Sequence, residues 1–463
     1  MNTPVAGFAG RVALFVSLAA GAAAPAALAG SGPRYELTPP AVAPCQVKVT
    51  VQVEGSLKLL DAKNEQRKIP LKVSGEFLYE ERITDPVARQ AARYYHTAEA
   101  NIELEKSSHQ PQLASEHRLI GMRLHEGKTR FWSPGGPLSR DEAELIDLQA
   151  NSVLLVDLLP KEPVQVGDEW KPEAAALAPF LSIDVVNSTE VTCKLAEVKQ
   201  GRAVVEMSGA VTGAAEGVTT ELELSAKYAY HLTERRFTSL AMVVREDREI
   251  GPAEPGLELT ARLTMVLSPL TTPQKLTEAS LAAVQAASGE ATPLRYESTE
   301  QGFRVVLDPR WRTIIDRAEV AVLRLVDQGD VIAQCNVSAL PPLPEGRRLQ
   351  LEEFQRDIQK ALGENFGSFL EASQSVTSGG LRILRVAVAG QASELPIHWI
   401  YYHASNDDGH RVSYVFTMEA DKAERFAGAD NQFTASLELF KPTPSTQTTP
   451  SAQQARRTKE AAK

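Results

Sequence analysis

The stretch Q46-V-K-V-T-V-Q-V-E54 alternates a polar with an apolar residue at every step. Alternation with a period of two places one set of side chains on each face of a β-strand, so the stretch predicts a strand with one buried and one solvated face. The same pattern continues through 69–79 and returns at 257–267. Because these runs exceed the usual five or six residues, the region from Gln46 to Leu267 predicts a sheet of long antiparallel strands.

A helical insert interrupts these strands. Ser139 and Glu142 form the S-x-x-E pattern of a capping box, and Leu145 and Ile146 follow on one side of the predicted helix. A sheet with one apolar face needs a cover, and a helix placed between the strand sets can supply it. We therefore expect residues 45–268 to form a curved antiparallel sheet or an incomplete β-barrel, with the helical insert across its open face.

Composition separates the remaining segments. Residues 269–292 join Pro, Thr, Ser and Gly to an alanine-rich helical stretch, and we expect them to form an interdomain linker. Residues 293–440 alternate strand patterns with one amphipathic helix that begins at Leu351, which predicts a second, α+β domain. Residues 441–463 are rich in Thr, Pro, Ser and Gln with almost nothing apolar, and we expect a disordered tail.

The first 29 residues have the features of a secretory signal peptide. Arg11 precedes an apolar run from Val12 to Ala24, and Ala27-Leu28-Ala29 supplies a small-residue cleavage signal before Gly30. We expect an exported protein, periplasmic or extracellular, that is not an integral membrane protein after cleavage. The alternative is that the apolar run is retained as an N-terminal anchor.

Charge and cysteine content exclude several classes of function. The net charge of -10 makes nucleic acid a poor partner. Cys193 and Cys335 fall in apolar rows and are expected to be small buried residues, while a disulfide between Cys45 and Cys193 is left open. No P-loop, G-x-G-x-x-G or G-x-S-x-G pattern occurs in the sequence. We expect no cofactor and assign no catalytic residue.

One hairpin carries the candidates for a metal site. His403 and His410 flank a turn that bears Asp407 and Asp408. Imidazole and carboxylate groups ligate zinc and other transition metals, and the two histidines could face each other across the hairpin. The turn residues favour the alternative, a solvated hairpin tip that holds no metal. Elsewhere, the pattern around His117 predicts the solvated face of a strand.

Two family resemblances follow from these patterns. Residues 302–311 read G-F-x-V-x-L-D-P-x-W, and the amphipathic helix, four strands and a closing helix with Phe433 come after them. This order resembles the PsbP-like α/β/α sandwich, a family that binds partners and rarely catalyses. The first domain looks like exported bacterial domains of unknown function, which are similar in architecture to the LolA-like lipoprotein carriers. Together the resemblances imply an α+β protein, and no metal-binding or LolA-type residue matches.

The sequence thus predicts an exported, non-catalytic binding or scaffold protein, whose second domain would contact a protein partner. The alternative is a carrier that holds an apolar small molecule or lipid in the curved sheet of the first domain. An enzyme of unrecognised type is the third hypothesis, because a fold alone does not determine function. A hollow sheet interior would favour the carrier, and a fully packed interior would exclude it.

Overall fold

The computed structural model describes residues 32–60, 65–251, 254–289, 293–344 and 347–442. The predicted signal peptide and most of the predicted tail lie outside these ranges. The described residues divide into two compact units, one that extends to Leu294 and includes Val326–Val331, and one made of Arg295–Leu325 with the described residues from Ile332 onward. Each unit is described by itself, and Val326–Val331 are described with the strands they join. No helix in the described part of the chain is long and apolar enough to cross a membrane.

The first unit is built on one 13-stranded sheet. Its strands are β1 (Cys45–Leu60), β2 (Gln66–Asp85), β3 (Gln90–Leu104), β4 (Ser107–His109), β5 (Leu119–His125), β6 (Lys128–Trp132), β7 (Glu169–Trp170), β8 (Val185–Thr189), β9 (Thr192–Lys199), β10 (Arg202–Ala215), β11 (Val218–His231), β12 (Arg236–Arg248) and β13 (Gly256–Pro269). The sheet runs in the order β6-β5-β3-β2-β1-β13-β12-β11-β10-β9-β7, with β4 beside β3 and β8 beside β10. The first long strand, β1, therefore lies between β2 and β13.

The prediction of long antiparallel strands is confirmed. Strand β1 pairs antiparallel with both β2 and β13, and β2 extends over 20 residues. The alternation in β1 places Val47 and Val49 in the core, at 0% and 1% exposure, while Lys48 between them is exposed. Burial of one apolar row from each strand supplies the main stabilisation of this unit.

Short helices cover the buried face of the sheet. They are α1 (Arg140–Ile146), a 3-10 segment (Ser152–Leu158) and α2 (Ala174–Leu181), whereas α3 (Glu278–Ala286) packs in a separate buried cluster with Ala92, on the other face of β3 from Ala91. The capping box predicted at Ser139 and Glu142 is present at the start of α1. Leu145, Leu155 and Phe180 belong to the same buried cluster as the sheet valines, so the insert packs on the sheet.

The segment expected as a linker contains α3 and packs against the first unit. Leu276 and Val284 are 2% and 3% exposed and share a buried cluster with Trp132, whose Nε1 donates to the Val284 carbonyl oxygen at 2.8 Å. The Glu80 carboxylate accepts the backbone N–H groups of Gln274, Lys275 and Leu276 at 3.0–3.2 Å. A side chain on β2 thus fixes the entrance of this segment.

The described part of the second unit has two sheets and three α-helices. Its strands are β14 (Leu294–Ser298), β15 (Phe303–Leu307), β16 (Trp311–Asp316), β17 (Ala321–Asp327), β18 (Asp330–Ala339), β19 (Phe366–Val376), β20 (Arg382–Ala392), β21 (Leu395–Ser405), β22 (Arg411–Glu419) and β23 (Glu438–Leu439). The orders are β14-β15-β23 in the small sheet and β16-β17-β18-β22-β21-β20-β19 in the large one. The helices are α4 (Leu351–Leu362), α5 (Ala423–Phe426) and α6 (Ala429–Ala435).

The predicted α+β class, with an α/β/α sandwich in the second unit, is wrong. Among the described residues, strands hold 54% and helices 16%, in three antiparallel sheets. Helix α4 packs Phe354 and Ile358 on one face of the large sheet. The opposite face packs against strand residues such as Phe303, and its helices α5 and α6 span only four and seven residues. Helical spacing in the sequence locates the helices but does not show that so little of the second layer is helical.

Candidate functional site

In the first unit, a cleft opens between the buried face of the 13-stranded sheet and helix α1. Its empty volume is about 690 Å³ with the open mouth included, and the centres of water molecules can occupy about 70 Å³ of it. One buried water needs roughly 10–15 Å³ by the second measure, so the cleft accommodates a small apolar group without movement of the chain. The interior of the first unit is therefore not fully packed.

Two rows of side chains across five strands form the floor of the cleft. One row runs Ala100, Gly75, Val51, Leu263, Met242 and the other runs Ile102, Val73, Val53, Ala261, Val244, in the order β3-β2-β1-β13-β12. Three members, Ala100, Gly75 and Ala261, are small and leave space where larger side chains would fill a core. The alternation in each strand is visible in the sequence. The meeting of the small residues depends on the register, which the sequence does not show.

The polar side chains of the cleft lie on the α1 side and are all acidic or neutral. They are Glu144, Asp147 and Gln149, and no Lys or Arg is among the lining residues. Glu144 forms an ion pair with Arg140 at 3.1 Å, and the Gln149 amide donates to the Leu181 carbonyl oxygen at 3.1 Å. A cleft with this lining offers dispersion contacts and no cation for an anionic group.

A buried polar network lies next to the cleft and joins β2 and β3 to the insert. The Arg93 guanidinium donates to Glu81 at 2.8 Å, to Asn151 at 2.5 Å and to Ser152 at 3.1 Å. Ser152 Oγ donates to the same Glu81 oxygen at 2.7 Å. The Arg93 and Glu81 side chains are only 3% and 4% exposed, and Arg93 also lies 4.8 Å from the ring centroid of Tyr79. The network holds the start of the 3-10 segment onto the sheet.

Burial in and around this network keeps the phenol and thiol groups protonated and therefore unreactive. It raises the pKa of the Tyr79 phenol well above its ordinary value, and burial beside Glu81 likewise raises the pKa of the Cys45 thiol. Burial raises the pKa of Cys193 to about 12. All three cysteines, Cys45, Cys193 and Cys335, are free thiols. A protonated, buried thiol is a poor nucleophile.

The prediction that His117 lies on the solvated face of a strand is wrong. His117 lies in a 3-10 turn, is 1% exposed, and forms a hydrogen bond through Nδ1 to Glu142 at 2.8 Å. Burial opposes ionisation of Glu142, but the backbone N–H groups of Ser139 and Ala114 and the His117 ring lower its pKa. A capping carboxylate that turns inward needs a partner, and His117 supplies it.

The hairpin of the second unit separates the four candidate metal ligands. His403 is 1% exposed and its ring lies 6.2 Å from that of Phe354 on α4. Asp407 is 97% exposed and forms a 3.6 Å ion pair with Arg348, while Asp408 is exposed in the turn and His410 is partly buried. In the described part of the chain, no group of three or more His, Cys, Asp or Glu side chains is placed to hold a metal ion.

Comparisons with known proteins give no family. No family model and no curated protein matches the chain. Solved structures that align include PsbP from Synechocystis sp. PCC 6803, with 16% identity, 33% of this chain and 95% of that chain covered, and a TM-score of 0.26. Lipovitellin aligns with 11% identity over 52% of this chain and 27% of its own, with a TM-score of 0.28. A protein from Bacteroides thetaiotaomicron aligns with 11% identity over 32% of this chain and 48% of its own, at 0.24. Likenesses this weak support no argument about function.

Proposed function

We propose that the first unit binds an apolar ligand in the cleft beside α1. The cleft itself is the observation that supports this proposal. Small residues from three different strands leave a gap in the sheet interior, and apolar groups line most of it. An unfilled apolar gap costs stability, about 24 cal/mol per Å³ in measured cavity series, and a ligand that fills it recovers dispersion contacts.

The ligand is a neutral apolar molecule or the apolar part of a larger neutral one. The lining contains Glu144 and Asp147 but no basic side chain, so an anionic group would enter without a counter-charge. A free fatty acid in its ionised form is therefore disfavoured. A neutral molecule loses little on leaving water and gains contacts with the valines, Leu263 and Met242.

We also propose that the protein is exported and acts by binding. Export follows from the predicted signal peptide, and its test is N-terminal sequencing of the protein secreted by its natural host. A mature chain beginning at Gly30 supports cleavage and export, and a retained Met1 would contradict cleavage and favour the N-terminal anchor. A scaffold role for the second unit, and the LolA-like architecture of the first, stay predictions.

A substitution that fills the cleft tests the binding proposal. Ala261→Leu adds bulk to the floor of the cleft, because Ala261 is 4% exposed on β13. Ala241→Leu is the matched control, since Ala241 is exposed on the neighbouring strand β12. We expect saturable binding of a neutral solvatochromic dye such as Nile red to the full chain, weakened at least tenfold by Ala261→Leu and unchanged by Ala241→Leu.

Ionised palmitate serves as the anionic comparison in the same assay. We expect it to compete with the dye poorly at pH 8. Equal weakening of dye binding by both leucine variants would refute the cleft as the site. Displacement of the dye by palmitate at the concentration of a neutral competitor would refute the predicted ligand class.

A further inference from the structure

The large sheet of the second unit brings two arginines and a serine into one row. Arg382 on β20, Ser405 on β21 and Arg411 on β22 are register partners across three adjacent strands. Strands lie about 4.8 Å apart, so the two arginine Cα atoms are separated by roughly 10 Å with the serine hydroxyl between them. Their side chains are long enough to reach one group above Ser405 once Arg382 exchanges its bond to Gln374, which lies on β19 at the far side of β20, for that group.

A buried histidine lies one step further along the same face. His403 precedes Ser405 by two residues, and side chains two apart in a strand share a face. The face is the one covered by α4, because Phe354 contacts the His403 ring. His403 is 1% exposed, and neither of its ring nitrogens has a hydrogen-bond partner. A buried donor without an acceptor costs stability, so this ring points to a missing partner.

The two arginines also lack a counter-ion among the described residues. Arg382 donates from Nη1 to the Leu349 carbonyl oxygen at 2.6 Å and from Nη2 to the Gln374 side chain at 2.9 Å. Arg411 donates from Nε to the carbonyl oxygen of Pro341. The N–H donors of both its terminal nitrogens therefore stay available for a ligand. Both side chains are partly exposed, so a ligand can reach them from solvent.

The local charge is positive although the whole chain is acidic. Arg347 and Arg348 lie close by, and the carboxylates of Glu353 and Asp407 pair with these two at 2.7 Å and 3.6 Å. Burial together with Arg348 lowers the pKa of Arg382, and burial together with Arg347 lowers the pKa of Arg411. The positive charge of Arg382 and Arg411 is therefore left unbalanced.

The N-terminal end of the adjacent helix α4 adds to this positive charge. Helix α4 begins after Gln350 without a side-chain cap, so its first N–H groups lack that partner. A tetrahedral oxyanion has enough oxygens to accept from both guanidinium groups, the Ser405 hydroxyl and the imidazole at once, whereas a carboxylate has only two.

We propose that Arg382, Ser405, Arg411 and His403 form a binding site for a phosphate group. The site is independent of the cleft in the first unit. The phosphate belongs either to a small soluble molecule or to a lipid headgroup, since both present the same terminal oxygens to the arginines.

The first experiment uses inorganic phosphate and the full-length protein. Isothermal titration at low ionic strength and pH 7 should show saturable binding, weakened at least tenfold by Arg382→Gln and by Arg411→Gln. Ser405→Ala, which changes no charge, should weaken it several-fold. Arg356→Gln is the control, because Arg356 is exposed on α4 and its loss changes the net charge equally. Circular dichroism of each variant confirms that the fold is retained.

A second arm distinguishes the sources of the phosphate. Vesicles of phosphatidylcholine with and without phosphatidic acid are compared with glycerol phosphate as ligands. Tighter binding to phosphatidic acid vesicles, lost in Arg411→Gln, assigns a lipid headgroup; tighter binding to glycerol phosphate assigns a soluble ligand. The proposal is overturned if none of the three phosphate sources binds, or if Arg356→Gln weakens binding as much as Arg382→Gln.

Discussion

Replacement of Arg93 by methionine tests the buried network that joins the sheet to the insert. The variant keeps much of the side-chain volume but removes the donors to Glu81, Asn151 and Ser152. Glu81 then keeps the Ser152 hydroxyl and loses its guanidinium in a site that is 4% exposed. Isolating a buried charge in this way costs about 3–5 kcal/mol, whereas replacing both members of a buried pair costs far less.

We therefore expect Arg93→Met to lower the free energy of unfolding of the first unit by about 4 kcal/mol. The double variant Glu81→Met with Arg93→Met should lose less than half of that. Hydrogen exchange of β2, β3 and residues 152–158, measured by mass spectrometry across a guanidinium titration, reports on this unit separately from the other. The charge argument is wrong if the double variant is as unstable as the single one, since the loss would then come from packing of Arg93 on Tyr79.

Burial opposes ionisation of Glu80, but backbone N–H groups and His96 lower its pKa. The stability that ionised Glu80 contributes is present above about pH 4.5 and is lost as the pH falls through the lower pKa of the folded state. We therefore expect the hydrogen-exchange protection of residues 274–286 to fall in acid. Gly121→Ala should destabilise the first unit by about 1–3 kcal/mol, because a Cβ there would lie 2.2 Å from the Trp132 ring, and thermal unfolding measures the loss. Burial with two nearby arginines lowers the pKa of His403 to about 4. Since the fold disfavours its protonated form, stability should fall as pH drops from about 6.5 to 4, and proton NMR of the ring should show a midpoint near 4.

The sequence predicts the long strands well because each carries its own alternation. Val47, Val49 and Val53 are buried as their spacing requires. The capping box at Ser139 is a local signal of the same kind, and it is present in the structure. The fold-class prediction for the second unit is wrong because its amphipathic helix α4 is one clear signal in a domain otherwise made largely of strands. A recognisable helix says little about the layer on the opposite face of the sheet.

Both candidate sites depend on register, which is why the sequence does not reveal them. Gly75 and Ala261 are unremarkable in their own strands and form a gap only when β1 aligns them. Arg382 and Arg411 likewise meet only through Ser405 on the strand between them. The sequence predicts His403 as a candidate metal ligand, but its burial against α4 gives it a different environment from the neighbouring turn.

The pairing of β1 with β13 has a consequence for how the chain folds. Thr50 and Thr264 contact each other across this pair although 214 residues separate them. During synthesis, β1 can form hairpins with β2 early, but its other edge has no partner until β13 emerges. A central strand with an unpaired edge is a template for aggregation, and such long-range pairing slows folding. The central pairing of this sheet therefore forms only after almost the whole first unit has been synthesised, and until then β1 keeps an exposed edge.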